Sequence, residues 1–260
     1  MISKYHLNQL IFSFSLISLC LVYGIVLYFQ VPVWAFPFLL PILAFLLHYQ
    51  YNIVHIASHG QVSKNRKLNS FVGNIAAILG ATTLASFTAN HLQHHKDPAN
   101  PEVDPDDAIV SGTHLLLIPF KVLHQDLFFW HSGSWKKRGL WKGYLIDRSV
   151  QIAILVTLFL SGNMSYFLAF WALPVWLLGT LNGLFLFYFP HYSTKTVDSW
   201  ENLKKPNLLV QFILGLIFIS RFYHAKHHQK PSQNSNYYPV FSFLRDSLET
   251  KLGFKIVPNV

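Results

Sequence analysis

Charge is what this chain has least of. Only 12% of its 260 residues are Asp, Glu, Lys or Arg, against 52% hydrophobic. From Tyr5 to Ser63 there is no charged side chain, and there is none from Ser149 to Thr194. Runs so long and apolar exclude an ordinary soluble domain, since about 20 such residues cross a bilayer as a helix. Cysteine is nearly missing too. The single Cys20 can close no intramolecular disulfide, and one thiol cannot supply the sulfur-rich ligand sets common in structural zinc sites. No Glu-x-x-His occurs, which excludes the carboxylate di-iron site of soluble helix bundles. No Gly-rich dinucleotide motif stands between a strand and a helix, and no fused haem or flavin domain is evident. A chain this apolar is also a poor nucleic-acid binder, despite a net charge of +9.

The first uncharged block is long enough for two spans, expected at about 7–29 and 32–50 with a turn near Gln30-Val31-Pro32. The second holds spans expected at about 147–162 and 165–189, parted by Ser161-Gly162-Asn163. The first run is longer than a signal-peptide core and lacks a small-residue cleavage site. Two other stretches are apolar, 70–89 and 207–222. The latter is short and contains Gln211; the former is diluted by Gly73, Asn74, Gly80, Thr82, Thr83 and Ser86. Both read as re-entrant or interfacial helices. The expected fold is an all-α integral membrane protein, one domain over 1–260. It has four transmembrane helices, interfacial or re-entrant helices, and a His-rich cap. Neither short turn carries charge, so all 20 Lys and Arg residues fall on the cap side. Positive loops stay in the cytosol, which puts the cap and both termini there. The excess of positive charge suits anionic headgroups and an acidic electron-donor protein.

Histidine, by contrast, is plentiful. Eight of the 14 fall in three boxes: His55-Ile-Ala-Ser-His59, His91-Leu-Gln-His94-His95 and His224-Ala-Lys-His227-His228. Spacings of three and four residues put imidazoles on one helical face, and neutral imidazole is the commonest transition-metal ligand. Eight ligands exceed what one ion needs, so the pattern points to two metals. If 70–89 crossed the membrane once, the first two boxes would lie on opposite sides; a four-span topology keeps all three together. With thiolate and carboxylate sets excluded, an all-nitrogen pair of irons that activates dioxygen remains. The non-enzyme alternative is a divalent-metal transporter with His-rich loops. Transporters need polar groups at the bilayer midplane, and the apolar blocks here are nearly free of them. His6, His48 and His114 lack partner spacing and read as interfacial.

HxxxH, HxxHH and HxxHH in this order, on this membrane pattern, resemble the membrane fatty acid desaturase and hydroxylase superfamily. The most specific stretch runs from His91-Leu-Gln-His94-His95 through Asp97-Pro98 to Asp104-Pro-Asp106. It is similar to the second box of desaturase-type β-carotene hydroxylases. The likeness continues in Leu123-His124-Gln-Asp-Leu-Phe-Phe and Phe187-Tyr-Phe-Pro-His191, and covers roughly 50–240.

The resemblance implies a non-haem di-iron oxygenase that hydroxylates a β-ionone ring, with O₂ as co-substrate and electrons from a separate donor such as a ferredoxin. The implied metal ligands are His55, His59, His91, His94, His95, His191, His224, His227 and His228. His191 joins because it follows the fourth span and because related enzymes carry a further His before the third box. Asp104 and Asp106 either accept the second N–H of ligand imidazoles or cap a helix after a Pro-rich turn. His124 is the outside candidate for such a supporting role, while His131 reads as a loop residue. One departure concerns substrate. After the third box the carotenoid enzymes continue with Trp-Pro segments, where this chain has the polar Gln229-Lys-Pro-Ser-Gln-Asn-Ser-Asn. A carotenoid ketolase and a fatty acyl desaturase therefore stand as alternatives, each acting on a lipophilic substrate.

Overall fold

The computed structural model describes residues 4–98, 100, 102–106, 113–121, 124–184 and 231. Among them it is helical, and four helices are long and apolar enough to cross a membrane. Helix α1 (Lys4–Tyr28) stops where Gln30 turns with φ 47° and Pro32 denies the next amide. A short 3-10 turn, Val33–Ala35, leads into α2 (Phe36–Ser58), whose first turn accommodates Pro37. It runs on to Ser58 instead of stopping at 50, and ends at Gly60, whose φ of 69° is the left-handed stop favoured by glycine.

Polar side chains at the cap end tie α1 to the chain that leaves α2. Asn8 Nδ2 donates to the Gln61 carbonyl at 2.9 Å and Gln9 Nε2 to that of Val62 at 3.1 Å. Deeper in, Gln50 Nε2 donates to Ser15 Oγ at 2.7 Å. Because α2 is longer than expected, His48 lies well inside it. That residue is buried within the bundle and is not interfacial.

Helix α3 (Arg66–Leu79) starts at Asn65, whose side chain accepts from the Lys67 and Leu68 amides. It packs closely on α2. A Cβ placed on Gly73 would stand 2.7 Å from the Ala57 Cβ, so only glycine permits this approach. Helix α4 (Leu84–Lys96) follows after a bend of 99°. Residue 61 lies against the start of α1, and the end of α4 returns to the end of α2. The stretch between them therefore enters and leaves on one side. It is a re-entrant hairpin, which is how 70–89 avoids parting the first two boxes.

Beyond the hairpin, α5 (His124–His131) precedes α6 (Leu140–Leu160) and α7 (Met164–Asn182), the latter with a π-helical stretch at Leu168–Ala172. Helix α6 begins at 140, earlier than the expected 147. A backbone break inside a membrane must have its amides and carbonyls satisfied by protein, and α6 does this for the hairpin. Arg148 donates to the Ala81 carbonyl at 3.0 Å and Gln151 Nε2 to that of Thr82 at 2.8 Å. Asp147 accepts from the Leu84 amide at 3.1 Å. From α7, Trp171 Nε1 donates to the Leu79 carbonyl at 2.9 Å. Arg148 also pairs with Asp126 of α5, which accepts from Ser86 Oγ at 2.8 Å. Arg148 thus departs from the expected arrangement, since it is drawn into the bundle and not held on the cap.

Apolar packing completes the bundle in two layers. One, near the cap, joins Phe12, Ile53, Ala57, Val72 and Phe87. The other joins Leu19, Leu43, Leu47, Phe170 and Leu178. Phe14, Leu21, Phe38 and Phe159 stand exposed on the outside, as helices in contact with lipid require.

Candidate metal centre

Two helix ends converge at the cap. The last turn of α2 carries His55, His59 follows as its C-terminal cap, and the last turns of α4 carry His91, His94 and His95. Helix C-termini concentrate partial negative charge, so both ends favour a cation at their meeting point. His91 is central. Its Nε2 lies 2.9 Å from His59 Nε2 and 2.9 Å from His95 Nε2, and its ring centre is 4.0 Å from that of His55. One ligand nitrogen from each of His55, His59, His91 and His95 falls within 4.8 Å of the others. Metal–imidazole bonds are about 2.0–2.1 Å long, so nitrogens across one ion stand about 4 Å apart at most. The two 2.9 Å separations fall within that reach, and the four imidazoles stand close enough together that they could hold a metal ion.

Protonation also suits the site. Burial pushes His59 down to about 4 from an ordinary 6.5. His95 is lowered to about 3, first by burial and then by His59 and His94, with Asp104 opposing. Both imidazoles are neutral at pH 7, so their lone pairs are available to a cation.

His94 points elsewhere. It is fully buried, and its Nδ1 sits 2.9 Å from each carboxylate oxygen of Asp104 and 3.7 Å from an oxygen of Asp106. Asp104 Oδ1 also accepts the Asp106 amide at 2.9 Å, which fixes the carboxylate. An Nδ1–H held by a carboxylate leaves Nε2 as the ligating atom and makes it more basic. His94, Asp104 and Asp106 also form a second group with donor atoms within 4.8 Å of one another. Its ring centre lies 6.2 Å from that of His91 and 5.9 Å from that of His95, so the two groups adjoin.

The remaining sequence candidates are placed unevenly. His191, His224, His227 and His228 lie outside the described residues. Pro231, three positions after His228, is described; its carbonyl accepts from Gln61 Nε2 at 3.0 Å, two positions after His59. His124 begins α5. His131, His6 and His114 are exposed.

Two features escaped sequence reasoning. Phe87, one turn before His91, stacks on it at 5.5 Å and faces His55 at 6.0 Å, closing the apolar side of the site. The four-residue spacing was the available signal. The other feature is the set Asp147, Arg148 and Gln151 that seals the hairpin. Its signal was charge at the edge of an apolar block, where ionisable groups are costly unless used.

The family model described as fatty acid desaturase matches residues 32–242, most of the chain and all three His boxes. No curated protein and no solved structure matches it significantly.

Proposed function

The chain belongs to the fatty acid desaturase family, and from that premise we propose a membrane di-iron oxygenase that hydroxylates the ring of a carotenoid such as β-carotene. The observation that carries this reading is the four-imidazole site formed by the first two boxes beside the Asp104-held His94. His55, His59, His91, His94 and His95 hold iron, together with His191, His224, His227 and His228. The chain from His228 to Pro231 reaches at most about 11 Å. The bond from Gln61 to Pro231 thus supports counting the third box with the first.

When bound, the iron pair supplies dioxygen-dependent cleavage of an unactivated C–H bond. The protein's own part is to hold, orient and exclude. Asp104 keeps the His94 ring in one tautomer. Phe87 and the buried faces of His55 and His91 keep water from the apolar side. Half-buried His59 and His95 mark the more open face. Substrate enters from the bilayer and electrons come from a separate protein, a ferredoxin or its equivalent, docking on a basic cap. The cap and both termini face the cytosol, because the basic residues gather there.

The choice of a carotenoid rests on the second box and its Asp-Pro-Asp sequel. Expression in a β-carotene-producing host, with pigments and acyl lipids both analysed, tests it. Zeaxanthin is expected. Canthaxanthin or echinenone would identify a ketolase, and a new acyl double bond with unchanged pigments would identify a desaturase. Zinc flux in vesicles without O₂ consumption would replace the oxygenase with a transporter.

A further inference from the structure

On the far side of the hairpin break from the histidines lies a cavity of about 430 Å³. Its walls come from four elements: the end of α1 near Tyr23 and Val26, the break at Ile78–Ala81, α6 from Arg148 to Leu158, and the start of α7 from Tyr166 to Trp171. Trp171 stands about 10 Å along α7 from that helix's start, at 1.5 Å per residue. The cavity thus lies within the membrane-spanning layer, away from the cap.

Its chemistry narrows what can fill it. The walls are apolar except for Arg148, Gln151, the Trp171 indole N–H and the hydroxyls of Tyr23 and Tyr166. Arg148 is engaged by Asp126 and the Ala81 carbonyl, and Gln151 by the Thr82 carbonyl. A chain of waters would need several free partners, and only Tyr23 Oη is buried and unpaired in this wall. Left unfilled, a pocket of this size would cost its lining atoms their dispersion contacts. A transmembrane helix, about 10 Å across, is too large to enter. A hydrocarbon chain fits. Ile152, Ile154 and Leu155 on the rim are exposed, so the mouth opens sideways to the bilayer.

We infer that this cavity is a lipid site: it takes one acyl chain of a bilayer phospholipid, laid against the break of the re-entrant hairpin. The occupant touches Ile78, Leu79 and Ala81, the turn from which α4 sets out toward the second box. The site is separate from the metal centre and does not depend on which substrate that centre takes.

The test uses the full chain in nanodiscs of phosphatidylcholine doped with a diazirine-labelled acyl phosphatidylcholine, with adducts mapped by mass spectrometry. Adducts on Ile78, Leu155 and Phe170 are expected to exceed those on the outward-facing Phe14 and Leu21 by about tenfold. Leu155→Trp, which fills the cavity, abolishes that excess, and Phe167→Ala, which enlarges it, raises the excess. Unchanged metal content in both variants reports that they are folded. Equal labelling of cavity and outer faces overturns the inference, as does a cavity signal that neither variant moves.

Discussion

The re-entrant hairpin has two polar ends, and they are built in opposite ways. At the cap, α4 delivers His91 and His95 to meet His55 and His59 at the end of α2, with His94 turned to Asp104 beside them, and the positions come from spacings of three and four on two helices. At the break, the backbone is sealed by Asp147, Arg148, Gln151 and Trp171, side chains from two other helices, and Asp126 of a third holds Arg148 and the Ser86 hydroxyl. The cap end repeats one residue type because a metal demands it. The break uses whatever donor or acceptor each stranded backbone group lacks. Function is written at the first end as a periodic motif, and the condition for placing it is met at the second by scattered partners.

Substitutions at the two ends should separate in kind and in size. His91→Ala removes the imidazole shared by three neighbours. Its loss of metal affinity should exceed the about 10–100-fold that loss of a ligand's supporting carboxylate costs; metal analysis and turnover both report it. Asp104→Ala falls in that lower range, with the His94 ring freed to turn while the protein stays folded. At the break, Asp147→Ala strands the half-buried Leu84 amide and should cost about 1–3 kcal/mol of stability. A thermal or steric-trapping measurement would detect it, and the metal should remain at temperatures where the fold survives. Gly73→Ala presses a methyl onto Ala57 and α4's Leu84, at a cost of about 1–3 kcal/mol.

An effect of pH is expected as well. His59 titrates near 4 when folded and near 6.5 when released. Between those values the unfolded chain binds more protons than the folded one. The contribution of His59 to the stability of the metal-free protein is therefore complete above about pH 6.5, falls as pH drops to about 4, and changes no further below that. Metal should stay bound at pH 5 and leave as pH approaches 4. Release already complete at pH 6 would contradict the burial of His59.

How much was legible follows from the same contrast. Uncharged blocks disclosed the four spans because a bilayer tolerates little else, and box spacing disclosed the helix faces. The glycines and hydroxyls in 70–89 foretold a segment that does not cross. Span ends were less legible. The last turns of α2, from 52 to 58, are apolar apart from Asn52, His55 and Ser58, so no charge separates membrane from cap, and His48 was placed too shallow. The partners of the break were not legible at all, because Asp126 and Arg148 lie 40 and 62 positions from Ser86 in sequence and meet only on folding. That His94 turns to Asp104 and not to the other histidines is a matter of ring orientation, which spacing does not encode.

The claim at the centre is that the first two boxes build a metal site whose hub is His91. Metal content of the purified full chain, beside that of His91→Ala, tests it most directly. Two irons per chain are expected in the parent protein, with loss of most of that iron in the variant. A parent protein that binds no transition metal, or a variant that keeps its full complement, would contradict it.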